Sequence, residues 1–258
     1  MPEVTAYPPG TPSWVDLGSP DIAAAAAFYT GMFGWDAPEG PPETGGYRNC
    51  TYKGRPVAGI GPQMAEGPPY WTTYVAVADA DAAAAKVTAA GGTTLLAPMD
   101  VMNFGRMAVF MDPVGAAFSI WQAGDHIGAG LVNEPNTLCW NELACRDPEG
   151  AKSFYGAVFG WTPQTEEATG PYVMWNLNGR VVGGMMPMDE NFPAEVPPHW
   201  MPYFAVDDTD ASAARAADLG GEVVMGPMDL PVGRMAVLKD PHGAVFSIIK
   251  LVQADPAP

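Results

Sequence analysis

The chain has 258 residues, 48% hydrophobic and only 16% charged, so it can bury a sizeable core and extensive disorder is excluded. Lys and Arg total 12 against 29 Asp and Glu, a net charge of −17. Such a surface repels nucleic acid and anionic lipid, while it steers a cationic small ligand inward and leaves a neutral one unopposed.

The first element is a short alternating strand over 14–18. Ser19-Pro20-Asp21 then opens a helix over 20–32, apolar at Ile22, Ala26, Phe28, Tyr29 and Met32, and Gly34 closes it. Strands follow near 46–53 and 56–62. A strand over 72–78 leads into an Asp-started helix over 79–90, stopped by Gly91-Gly92, with further strands near 93–97, 106–111 and 116–122. The segment 123–137 reads as a linker, and then the pattern restarts. Trp14, Leu17, Asp21, Phe28, Tyr29 and Gly34-Trp35 recur as Trp140, Leu143, Asp147, Phe154, Tyr155 and Gly160-Trp161. Gly54-Arg55 recurs as Gly179-Arg180, Pro98-Met99-Asp100 as Pro227-Met228-Asp229, and Gly105-Arg106-Met107 as Gly233-Arg234-Met235. Asp112-Pro113 and Phe118-Ser119-Ile120 recur as Asp240-Pro241 and Phe246-Ser247-Ile248. The chain is a tandem duplication. The order of strand, helix, then two or three strands occurs four times, which predicts an α+β fold with mixed sheets: residues 1–124, a linker over 125–137, and residues 138–258.

Residues 1–10 carry no basic or long apolar segment of a signal peptide, and no apolar run reaches the about 18 residues of a membrane span. Cys50, Cys139 and Cys145 show no CxxC spacing, which points to a reduced, cytoplasmic protein. There is no GxGxxG after a strand and no P-loop, so no nucleotide cofactor is indicated.

The helix ends FYTGMFGW and FYGAVFGW, the strand-Asp-helix starts, and the DPVGAAFSIW and DPHGAVFSII hairpins resemble the vicinal oxygen chelate superfamily. That superfamily includes glyoxalase I, bleomycin-resistance proteins and extradiol dioxygenases. The resemblance covers nearly the whole chain. It is similar in particular to two-domain glyoxalase-like proteins of actinobacteria, some of them in gene clusters for aromatic polyketides such as anthracyclines. It implies paired βαβββ modules whose sheets curl into a cup. It does not choose among isomerases, dioxygenases, thiol transferases and binding proteins.

Metal-using members place ligands on the concave face. The first, usually His, falls here on Trp14 and Trp140; the second, His or Gln, on Thr72 and Met201; the Glu on Ser119 and Ser247. All six depart from the pattern: indole nitrogen only donates, thioether is soft, and serine is a poor ligand for a divalent ion. The three histidines are scattered, with His126 in the linker, His242 in a DPHG turn and His199 before a strand. They are not expected to share a cup, and the first half is expected to have none in its own. The expectation is no metal and no other cofactor.

Strand periodicity turns Val15 and Leu17 toward the helices and Trp14 and Asp16 into the cup, matched by Trp140 and Glu142. Thr72 and Tyr74 share that face, as do Met201 and Tyr203. Ser119 and Trp121 face it too, with Ser247 and Ile249 as counterparts, while Met107 and Met235 line a wall. An aromatic, Met-rich lining with one carboxylate per half suits a flat apolar ligand bearing a cationic or hydroxyl group. The same side chains also suit plain sheet filling, with Asp16 paired to Arg48 or Arg106. Arg106 and Arg234 are expected to tie to Asp100 and Asp229, and Asp112 and Asp240 to serve turns.

Two functions follow. One is metal-independent binding or sequestration of a drug-sized aromatic molecule, in resistance or as an accessory to a biosynthetic enzyme. The other is an enzyme, a glyoxalase-like lyase or a metal-free isomerase or hydroxylase-type tailoring enzyme, with Asp16, Glu142 or His199 as the base. Nucleic acid and membrane are excluded as partners.

Overall fold

The computed structural model describes residues 4–165, 170–190 and 192–252. The first half runs β1 (Pro12–Ser19), α1 (Ile22–Phe33), β2 (Arg48–Tyr52), β3 (Arg55–Pro62), β4 (Tyr70–Ala76), α2 (Ala80–Ala89), β5 (Thr93–Val101), β6 (Gly105–Met111) and β7 (Ala117–Ala123). The second runs β8 (Leu138–Cys145), α3 (Pro148–Phe159), β9 (Thr162–Gln164), β10 (Val173–Leu177), β11 (Arg180–Pro187), β12 (His199–Ala205), α4 (Thr209–Asp218), β13 (Glu222–Leu230), β14 (Gly233–Lys239) and β15 (Val245–Leu251). Each half forms one mixed sheet, in orders β2-β3-β1-β4-β7-β6-β5 and β13-β14-β15-β12-β8-β11-β10-β9. In both, a central antiparallel pair is flanked by parallel neighbours: β1 with β4, then β3 and β7; β8 with β12, then β11 and β15.

The helix boundaries follow local chemistry. Asp21, Asp79, Asp147 and Asp208 are N-caps whose carboxylates accept the amides of Ala24, Ala82, Gly150 and Ala211 at 2.9–3.0 Å. Gly34 and Gly160 close α1 and α3 in the left-handed region, at φ 70° and 74°. The short β9 was not anticipated; its first-half equivalent is only a single bridge between Asp36 and Thr51.

The sheets form within halves, but the two largest hydrophobic clusters form between them. Val15, Leu17 and Ile60 of the first half share a core with Phe204, Leu238 and Phe246 of the second, and α1 supplies Phe28, Tyr29 and Phe33 between them. Reciprocally, α3 sets Phe154 and Tyr155 against Phe110, Phe118 and Ile120 of the first half. The repeated Phe-Tyr pairs are therefore the fastening between halves.

The DP turns join this fastening. Asp112 accepts the amides of Val114 and Ala116 at 3.1 and 2.7 Å, the turn role expected of it. Its other oxygen accepts the Tyr155 hydroxyl at 2.7 Å, and Asp240 accepts Tyr29 at 3.2 Å. Each tyrosine in turn accepts an indole N–H, from Trp200 at 2.9 Å and Trp71 at 3.1 Å. Both aspartates thus bind across the two halves, a role that turn chemistry alone does not suggest.

Arg106 and Arg234 are structural ties. Arg106 reaches Asp100 at 2.9 Å and grips Asp81 through two bonds of 3.0 Å; Arg234 does the same with Asp229 and Asp210. These pairs are exposed and solvent-screened, so they orient the strands more than they stabilise the fold.

Candidate functional site

The expected cup faces exist, and register explains their composition. Trp14 lies opposite Tyr74 across β1–β4, and Tyr74 opposite Ser119 across β4–β7. Asp16 lies between Gly59 and Thr72 in the adjacent row. Met107 pairs with Trp121 across β6–β7. The second half repeats each row: Trp140 with Tyr203 and Ser247, Glu142 between Gly184 and Met201, Met235 with Ile249. Trp14, Tyr74 and Trp121 pack together with Met107; Tyr203, Met235 and Ile249 pack with Trp140 and Met201. Ser119 and Ser247 are fully buried in the floor.

The carboxylates are held by tyrosines, and the alternative pairing of Asp16 with Arg48 or Arg106 is not found. Arg48 donates to the Ala37 carbonyl and faces Glu39, and Arg106 is engaged as described. Half-buried Asp16 instead accepts the hydroxyls of Tyr74 at 2.9 Å and Tyr47 at 3.4 Å, and Thr72 bonds it as well. Tyr47 also accepts the Trp14 indole N–H at 3.0 Å. In the second cup, Glu142 accepts from Tyr203 at 2.9 Å and from Tyr172, and Tyr172 accepts the Trp140 N–H at 2.8 Å. The result is a duplicated chain of indole, phenol, carboxyl and phenol.

Neutral donors do not offset burial as a cation would. Desolvation pushes the Asp16 carboxyl up to about 6, with the tyrosine hydrogen bonds pulling the other way. Desolvation likewise raises Glu142 against Tyr172 and Tyr203. The tyrosines are themselves pushed up by burial and by the neighbouring carboxyl, so they remain protonated donors.

Tyr47 and Tyr172 were missed by sequence reasoning. Each precedes the repeated Gly-Arg pair by the same distance, a signal available in the sequence. Each lies over a glycine, and the geometry requires it: a Cβ on Gly59 would collide with the Tyr47 hydroxyl, and one on Gly184 with that of Tyr172.

The histidines divide differently from expectation. His126 of the linker stands edge-on to Trp14, ring centroids 4.5 Å apart, and 5.8 Å from Trp121. It therefore belongs to the first cup, which was expected to have no histidine. His199 lies at the start of β12, with Nδ1 2.8 Å from the Pro197 carbonyl oxygen. His242 gives its amide to Asp240 in the turn.

The donor set does not fit the divalent ion that the resemblance brings to mind. Trp14 and Trp140 turn their N–H donors onto phenols, and each carboxyl is engaged by two phenol hydroxyls, with Thr72 added at Asp16. Among the described residues no three His, Cys, Asp or Glu converge as a ligand set. No helix among them is long and apolar enough to cross a membrane.

Comparison with known proteins agrees with the duplicated architecture. The family model described as glyoxalase/bleomycin resistance protein/dioxygenase superfamily matches residues 11–120 and again 129–248. The chain is 48% identical over 259 residues to a protein called putative glyoxylase CFP32 from Mycobacterium tuberculosis, covering 97% of this chain and 98% of that one. It is 41% identical over 273 residues to the anthracycline biosynthesis protein DauV of a Streptomyces species, covering 98% of each. Among solved structures, a Mn(II)-bound glyoxalase from Novosphingobium aromaticivorans superposes with TM-score 0.65 at 18% identity, covering 97% of this chain and 88% of that one. The 2,3-dioxygenase LapB from Pseudomonas superposes with TM-score 0.65 at 14% identity, covering 96% and 94%. These last two share the fold.

Proposed function

The chain belongs to the glyoxalase/bleomycin resistance protein/dioxygenase superfamily, and within it we propose a metal-independent binding protein for a planar, hydroxylated aromatic molecule of drug size. The observation that carries this reading is the cup floor itself, where indole, phenol and carboxyl stand in place of a metal-ligand set. Trp140 and Tyr203 offer ring faces and edges, and Met201 and Met235 adapt to the outline of a flat ligand. Glu142 accepts a ligand hydroxyl in its charged form or donates to a carbonyl oxygen in its neutral form. The likeness to anthracycline biosynthesis proteins supports a polyphenolic ligand, in resistance or as an accessory to a biosynthetic enzyme.

Tryptophan fluorescence of chelator-treated protein, titrated with 1,8-dihydroxyanthraquinone and with cationic proflavine, tests the reading. Saturable quenching by either supports it, and none by either refutes it.

One observation favours an enzymatic second reading. A carboxyl held near 6 beside protonated phenols is suited to remove a proton next to a ligand carbonyl, with a phenol donating to the oxygen that becomes negative. Deuterium exchange into an added ligand with a C–H next to its carbonyl, catalysed by wild type and lost when the carboxyl of the cup that binds it is amidated (Asp16→Asn or Glu142→Gln), supports that reading; exchange at the uncatalysed rate removes it.

A further inference from the structure

The two cups share a frame, and among the described residues the chain itself covers the first. After β7 the linker turns back over the first cup. The Ala129 amide donates to the Ser13 carbonyl and the Gly130 amide to the Pro56 carbonyl, both at 2.8 Å, and the Tyr7 hydroxyl donates to the Ala129 carbonyl at 2.7 Å. The segment is thus fastened to β1 and β3 at once. It carries the His126 ring against Trp14 at an interplanar angle of 86°, and the Trp121 indole donates to the His126 carbonyl at 2.7 Å. Beneath this strap Trp14 is 4% exposed and Ser13 is fully buried.

The second cup differs at the counterparts of Ser13, Trp14 and Trp121. Cys139 and Trp140, the counterparts of Ser13 and Trp14, are half-buried. Ile249 takes the place of Trp121. In sequence register Ala254 corresponds to His126, and it lies outside the described residues. Among the described residues no ring stands against Trp140 as His126 stands against Trp14.

We infer that His126 occupies the first cup as a built-in flat heteroaromatic ring, and that the second cup is the ligand site, taking one planar aromatic molecule per chain. The inference rests on the binding reading above and sharpens it. Burial holds the His126 imidazole down at about 4, so near neutral pH the strap presents an uncharged ring, the kind of group the open cup is proposed to take.

The test uses protein labelled with 5-fluorotryptophan, with Trp14→Phe and Trp140→Phe assigning their two resonances among the 8 tryptophans. Titration with 1,8-dihydroxyanthraquinone is expected to saturate at one per chain and to shift Trp140 but not Trp14. In His126→Ala the stoichiometry rises to two and Trp14 shifts as well. Saturable binding that shifts Trp14 in the unaltered protein, reaches two per chain there, spares Trp140, or stays at one in His126→Ala overturns the inference and leaves the binding reading standing. Absence of saturable binding overturns the binding reading itself. Alkylation of Cys139 by iodoacetamide is an independent measurement on the unaltered protein. Cys50 and Cys145 are buried, with thiols pushed up to about 12, so neither competes. Saturating probe slows Cys139 alkylation several-fold if the second cup is the site, and an unchanged rate under saturation contradicts it.

Discussion

Replacing Asp16 with Asn should stabilise the protein, and more so at alkaline pH than in mild acid. The carboxyl is pushed from the ordinary 3.8 to about 6 in the folded chain, chiefly by desolvation. The folded state therefore binds a proton more tightly than the unfolded one, so stability falls as pH rises between those values. The full shift corresponds to about 3 kcal/mol, of which about 1.4 kcal/mol is lost between pH 5 and pH 8. Asn is nearly isosteric and removes this titration, while its carbonyl still accepts from one tyrosine. Urea unfolding of wild type and Asp16→Asn at pH 5 and pH 8 isolates the effect, because every other titrating group cancels in the difference. The gap between the two proteins should shift by about 1.4 kcal/mol in favour of the variant at the higher pH. A gap that is constant with pH, or that shifts toward wild type, refutes the claim that tyrosine donors leave this carboxylate poorly compensated.

His126 titrates in the opposite sense: its proton is lost at about 4 rather than 6.5, so this site adds stability as pH rises through that window. Nitrogen NMR of the ring should give a midpoint near 4 in the folded protein, and a midpoint near 6.5 would show that the strap does not bury it. Tyr155→Phe leaves one Asp112 oxygen and the Trp200 indole without their partner and should cost about 1–3 kcal/mol by urea unfolding. Tyr29→Phe should act likewise through Asp240 and Trp71, and a near-zero cost for both would refute the cross-half fastening. Gly184→Ala should displace Tyr172 from Glu142 and weaken probe binding, whereas Gly179→Ala, strained at φ 84° in the turn between β10 and β11 but with open space around its Cβ, should cost stability without weakening binding. Residues 1–124 alone should fail to give a cooperative thermal transition by circular dichroism, because their core is completed by Phe204 and Phe246.

The duplication was plain in the sequence because Trp14, the Phe-Tyr helices, the GRM motif and the DP turns recur in order. The faces of β1, β4 and β7 were also legible, because period-two alternation separates Val15 and Leu17 from Trp14 and Asp16. What could not be read was which half each helix covers. Phe28-Tyr29 presents the same pattern whether it packs on its own sheet or on the other, and only the fold places it against Phe246. The arginine alternative for Asp16 does not hold, because Tyr47 and Tyr74 supply hydroxyls instead and leave the carboxyl raised. Tyr47 and Tyr172 escaped notice although they end matching TGGY and TGPY segments, because a loop residue carries no periodicity to say that it reaches the cup. His126 escaped because a linker residue carries no periodicity to say which face it meets.

The account turns on whether the cup holds a planar ligand without a metal. Isothermal titration of chelator-treated protein with 1,8-dihydroxyanthraquinone, repeated with added Mn(II), measures this directly. Saturable heat of the same size with and without the ion, sharply reduced in Glu142→Gln, is the predicted result. Heat that appears only when the ion is present would contradict it.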